Sequence, residues 1–274
     1  MDAVMKGLSL QIGPYRAMLW RTAIAILPAL AMLAWVQGVR WPDRSLRLLH
    51  LQRGMVNAFS AVGYFFGLTR LPMAEGIALA FIAPLVALYL AAAILGERVG
   101  VRAVVGSLIG LAGVLLLLAR AGAPAQGGAT VGALVILGAA VLYGYGLVLL
   151  RRQAQLATPL EVGFWQTGAT LLWLAPAAPW LAPVPPLRFW PGLAGAAVLA
   201  QGSIMLLAWA YARVEAKRLI PIEYSGFLWA VLFGALFFGE ALAPATLFGA
   251  VLIVGGCLVA ALARPEPTGT ELGQ

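Results

Sequence analysis

Cysteine occurs once in this chain, at Cys257, and histidine once, at His50. A single cysteine excludes an intramolecular disulfide framework, and in an apolar run it reads as a small hydrophobe. One histidine in a basic loop excludes a metal site built from histidines. Charge is scarce as well: 10% of the 274 residues are charged, against about 25% in soluble domains. With 62% of the residues hydrophobic, this scarcity excludes a water-facing globular domain and leaves an all-α integral membrane protein. No GxxxxGK[ST] phosphate loop exists, so the chain does not itself power an ATP pump. A membrane-embedded enzyme needs a nucleophile with its base, a carboxylate pair or metal ligands. The scattered carboxylates and lone His and Cys do not supply them, and no cofactor is implied. The net charge of +8 does not point to nucleic acid, because the basic residues sit between apolar runs, where positive-inside loops account for them.

What the chain does contain, it contains twice. Shifted by 143 positions, Ala74–Arg102 falls on Lys217–Ala245, with Gly96-Glu97 on Gly239-Glu240 and Leu85 on Leu228. Beyond that stretch Gly106 falls on Gly249 and Gly113 on Gly256; before it, Arg70 falls on Arg213. Ala80, Ala83, Ala87 and Ala91 form one helical face, and their counterparts are Glu223, Gly226, Ala230 and Gly234. Each copy thus carries an apolar helix with a small-residue stripe, a Gly-Glu stop and a second Gly-rich helix. In the second copy the stripe opens with a carboxylate.

Nine complete spans are predicted, near Pro14–Val36, Gly54–Thr69, Pro72–Leu95, Val101–Leu118, Thr130–Leu150, Val162–Leu181, Trp190–Ala212, Leu219–Gly239 and Leu242–Ala263. Their lengths are near what about 30 Å of hydrocarbon requires. Pro28 and Pro84 lie inside spans and are expected to kink them. A tenth span is implied. Around Trp20-Arg21-Thr22 the best offset is 145, and the second copy has apolar residues from Thr130 to Gly146 that have no counterpart ahead of Met1. The first helix is therefore expected to be incomplete here: either translation starts upstream of Met1 or the protein has lost most of helix one. The domains are then residues 1–121, a first repeat incomplete at its N-terminus, residues 129–264, a second repeat, and residues 265–274, a polar, disordered cytoplasmic tail.

Five helices per repeat make the two repeats insert in opposite orientations, giving ten helices in inverted five-helix repeats. With the C-terminus in the cytoplasm, 12 of the 18 basic residues lie inside, which favours that orientation. Reporter fusions are expected to place the loops holding Arg44 and Arg151 in the cytoplasm and the loop holding Arg188 outside. Finding Arg44 and Arg188 on one side would dispose of the inverted repeat.

RLPMAEGIALAFIAPLVALYLAAAILGERVG and PIEYSGFLWAVLFGALFFGE resemble the two halves of a drug/metabolite transporter of the EamA type. MDAVMKGLSLQIGPYRAMLWRTAIAILPAL is similar to the end of that family's first helix and its second helix. The likeness runs from Met1 to Arg264, departing from the family in the missing front of helix one. It implies ten transmembrane helices in the bacterial cytoplasmic (inner) membrane and movement of small metabolites. The nearest branch has assigned substrates such as amino acids, riboflavin or S-adenosylmethionine. The alternatives are a non-transporting or degenerate scaffold and a membrane-embedded enzyme.

Sites in inverted-repeat transporters lie near the midplane, so ionisable groups within spans are the places to look. Arg21 lies seven residues past Pro14, about 10 Å into its helix at 1.5 Å per residue. It holds helices together or meets a carboxylate, on Glu75 or on the substrate. Glu75 and Glu223 either pair with Arg70 and Arg218 or take a coupling proton or a substrate amine. Glu97 and Glu240 read as caps of the helices that follow them. Tyr64, Trp165, Gln166, Gln201, Tyr224 and Trp229, with Ser203, supply aromatic faces and neutral hydrogen-bonding groups, as cavity lining or as interhelical contacts. Gly106, Gly110, Gly249 and Gly255-Gly256 permit close helix packing within the monomer, or a homodimer face.

Overall fold

Proline, glycine and short polar side chains set the helix ends. Gly13, at φ 86°, lets the chain turn between α1 (Asp2–Ile12) and α2 (Pro14–Val36), and Pro14 opens α2 where no N–H is needed. Asp43 caps α3 (Arg44–Leu68), its Oδ1 accepting from the Leu46 N–H at 2.9 Å. Thr158 and Glu161 form a reciprocal capping box at the start of α8 (Pro159–Leu174). The remaining helices are α4 (Met73–Ala80), α5 (Ala83–Leu95), α6 (Val101–Ala121), α7 (Ala129–Leu156), the single turn α9 (Ala178–Leu181), α10 (Trp190–Arg213), α11 (Gly226–Phe238) and α12 (Pro244–Ala261). The computed structural model describes residues 1–39, 41–95, 100–121, 128–213 and 225–261. Glu97, Arg218, Glu223, Tyr224 and the tail 265–274 lie outside them.

Among the described residues the helices make ten spans, taking α4 with α5 and α8 with α9, and α1 is the short first one. Five are long and apolar enough to cross a membrane by themselves, within Pro14–Val36, Met73–Leu90, Val101–Ala119, Ala129–Leu156 and Leu187–Ala210. The two prolines behave differently. α2 runs on through Pro28. At Pro84 the helix breaks, because proline gives no N–H to the Ala80 carbonyl, and the Leu85 N–H bonds Ile82 O rather than Phe81 O. Cys257 supplies the missing donor, its thiol reaching Phe81 O at 3.2 Å. α5 and α11, 13 residues each, start and stop at positions 143 apart.

The chain divides into two compact units: residues 1–69 with 149–215, and 70–148 with 216–274. Each takes helices from both sequence repeats. The first holds α1, α2, α3, α8, α9 and α10 with the end of α7. The second holds α4, α5, α6, α11, α12 and the rest of α7.

The core of the second unit is the contact of α6 with α12. A Cβ added at Gly106 would stand 2.4 Å from Gly256 O, and one at Gly113 would stand 2.6 Å from Gly249 O. Early residues of one helix meet late residues of the other, so the helices run antiparallel. Gly249 and Gly256 are also the repeat counterparts of Gly106 and Gly113. Residue i therefore meets the counterpart of j, and j the counterpart of i, as across a two-fold axis. Removing both side chains at each crossing brings the backbones together, which is how helices associate where lipid offers no hydrophobic drive. Gly255 takes no part, with nothing within 4 Å of an added Cβ.

Candidate functional site

Polar side chains in the first unit gather into three groups. In the first, Arg21 is buried on α2 at 9% exposure. Among the described residues its Nη1 reaches only the Met1 sulfur, at 3.7 Å, and its Nε has no hydrogen-bond partner. Asp2 on α1 interacts with Arg21 as a charge and accepts from the Tyr64 hydroxyl of α3 at 3.3 Å. Two residues expected at the site, Arg21 and Tyr64, are thus linked through Asp2, which sequence reasoning passed over.

The second group joins α3, α7 and α8. Arg53 Nη1 donates to Gln153 Oε1 at 2.7 Å and to Gln166 Oε1 at 3.3 Å, and Gln166 Nε2 returns a bond to Arg53 O. Gln153 Nε2 lies 2.8 Å from His50 Nδ1. Trp165 packs between His50 and Trp41, with ring centroids 6.3 and 5.1 Å away. His50 is therefore no loop residue: it sits in the second turn of α3 at 2% exposure. The hydropathy boundary at Gly54 hid it, because a helix continues past the point where charge enters its sequence.

The third group is Thr167 with Gln201, 2.9 Å apart. A hydroxyl donates once, and Thr167 gives its proton to Gly163 O at 2.7 Å. The Oε1 of Gln201 stands against the same hydroxyl, and its Nε2 is buried without a hydrogen-bond partner among the described residues. α3 approaches α8 closely at Gly54, where an added Cβ would stand 2.4 Å from that of Ala169.

In the second unit Glu75 is buried at 2% exposure and accepts from the Thr246 hydroxyl of α12 at 2.9 Å. Glu240 follows the left-handed Gly239 that ends α11. Its carboxylate does cap a helix, though the one it serves is α4: Oε2 accepts from the Met73 N–H at 2.6 Å, where the N-cap, Pro72, makes no side-chain cap bond. Beside Glu240 lies a pocket of about 10 Å³, lined also by Pro72, Ala74, Ala230, Gly234 and Thr246, room for about one water. Trp229 is exposed and stacks on Phe233, away from these polar groups.

Residues 1–119 and 130–262 match the EamA-like transporter family. The chain is 27% identical over 268 residues to the pseudopaline exporter CntI of Pseudomonas aeruginosa, covering 97% of this chain and 92% of that one. It is also 27% identical to a probable transport protein of Saccharomyces cerevisiae over 112 residues, 39% of this chain and 32% of that protein. A solved crystal structure, 24% identical, covers 95% of each chain with a TM-score of 0.64, a likeness of fold. With nearly the whole length matched in two consecutive blocks on a ten-helix fold, the chain belongs to the EamA-like transporter family and is a multi-pass membrane transporter, not an enzyme.

Proposed function

We propose that the chain is a secondary transporter that exports a small carboxylate-bearing metabolite, an amino acid or a similar zwitterion, across the bacterial inner membrane by alternating access. The observation that carries this reading is Arg21. A guanidinium stays ionised under essentially all conditions, and a buried one needs an anion and filled hydrogen bonds. Asp2 supplies charge, but among the described residues Nε has a donor and no acceptor. A substrate carboxylate would fill it, and the planar fork suits that geometry. A relative named as an exporter over nearly the full length supports the outward direction, and the missing phosphate loop leaves a gradient or exchange as the driving force.

A metabolite-wide efflux comparison of cells with and without the gene is expected to find a carboxylated metabolite retained in its absence. Purified protein in proteoliposomes should then exchange that labelled compound in counterflow. Efflux without counterflow exchange would replace the carrier with a channel, and neither would leave the scaffold reading.

A further inference from the structure

Hydrogen-bond polarity in the second group is fixed by chemistry. Arg53 can only donate, so the oxygen of the Gln153 amide faces it, at 2.7 Å. The NH2 of that amide then faces His50 Nδ1, at 2.8 Å. Nδ1 must therefore be the bare, accepting nitrogen, and the neutral ring carries its proton on Nε2. That Nε2–H is buried and has no acceptor among the described residues. Gln153 itself is fully buried, so water does not loosen the arrangement. Among the described residues the charged groups acting on His50 are Arg53 from its own helix and Glu161 from α8. Glu161 is engaged in the capping box with Thr158. From α7 the neutral Gln153 faces it.

We propose that His50 and Gln153 form a proton-binding switch acting on Arg53. A proton arriving from water can add only at Nδ1, where the Gln153 NH2 stands. Accepting it requires the Gln153 amide to turn over, so that Oε1 receives the new Nδ1–H. The same turn brings the NH2 against Arg53, donor against donor, and Arg53 loses its acceptor on α7. The imidazolium and Arg53 then stand together as two cations, an arrangement that an arriving anion stabilises. By linkage, an anion that favours the protonated state is itself bound more tightly in that state. The ligands of this site are thus one proton and one anionic group. Taking that group to be the carboxylate of the cargo rests on the transporter reading; the switch itself does not.

His50 is the only histidine, so selective ¹⁵N-histidine labelling reports this one ring. We expect ¹⁵N NMR of the full chain in lipid nanodiscs to show, at neutral pH, a bare Nδ1 and a protonated Nε2. Acidification should protonate Nδ1. In Gln153→Glu a carboxylate accepts from both neighbours without turning, so protonation should occur about one to three pH units higher. An Nδ1–H tautomer in the unaltered protein would overturn the proposal, and so would a Gln153→Glu variant that titrates unchanged. Should that variant not fold, the tautomer of the unaltered protein still decides. These readouts need no substrate, so they stand or fall separately from the efflux comparison.

Discussion

Arg21→Lys is expected to cut transport by about ten-fold to a hundred-fold while membrane insertion and monodispersity stay normal. The charge is kept, so what is removed is the fork. Hydrogen bonds to charged groups contribute about 1.5–3 kcal/mol, and 1.4 kcal/mol is about a factor of ten. Lysine offers a point charge on a flexible stem and cannot reproduce two parallel bonds. The neighbouring carboxylate provides the control. If Asp2 is the only anion Arg21 serves, Arg21→Gln with Asp2→Asn should be more stable than either single change and regain transport. If the cargo is the partner, the double change restores no transport, and Arg21→Gln weakens carboxylated compounds selectively. Unimpaired transport by Arg21→Gln would remove the residue from the site.

Gly256→Ala is expected to destabilise the protein by about 3 kcal/mol, whereas Gly255→Ala should be neutral or slightly stabilising. The two glycines are adjacent on one helix, and alanine raises helix propensity by about 1 kcal/mol at either position. They differ in what the new methyl group meets. At Gly256 it would stand 2.3 Å from Gly106 O and 2.5 Å from Gly110 N. Both are backbone atoms of α6, so no side chain can swing aside and the helices must part. At Gly255 nothing lies within 4 Å. Unfolding in mixed detergent, read by near-ultraviolet circular dichroism, measures both. Equal stability of the two variants would refute the close α6–α12 contact.

The spans were legible because lipid imposes one rule, that backbone groups be satisfied within the helix, and apolar runs report it directly. Pro84 announced its break for the same reason, a missing N–H. Polar clusters were harder. Gln153 follows Arg151 and Arg152, and His50 precedes Arg53, so hydropathy ended both spans short of these residues. α3 and α7 nonetheless continue as helices, burying His50, Arg53 and Gln153 while Arg151 and Arg152 stay exposed. Asp2 gave no periodic signal so near the first residue. Arg21 and Gln166, matched by the repeat as one polar position, are both buried, yet they serve different groups.

The α6–α12 contact carries a historical constraint. Where a helix meets its own repeat counterpart, identical copies would have to tolerate the same residue against itself. Gly110 and Ile253 occupy that place, 143 positions apart, with the Ile253 carbonyl 3.9 Å from where a Gly110 Cβ would lie. Two isoleucines would collide there and two glycines would leave a hole. The flanking contacts have diverged as well: Gly106 faces Ala260, while Gly249 faces the larger Leu117. A dimer of identical five-helix chains would feel every such substitution twice. Joining the copies in one gene allows a large residue on one strand of descent to be matched by a small one on the other, a solution closed to any homodimeric ancestor.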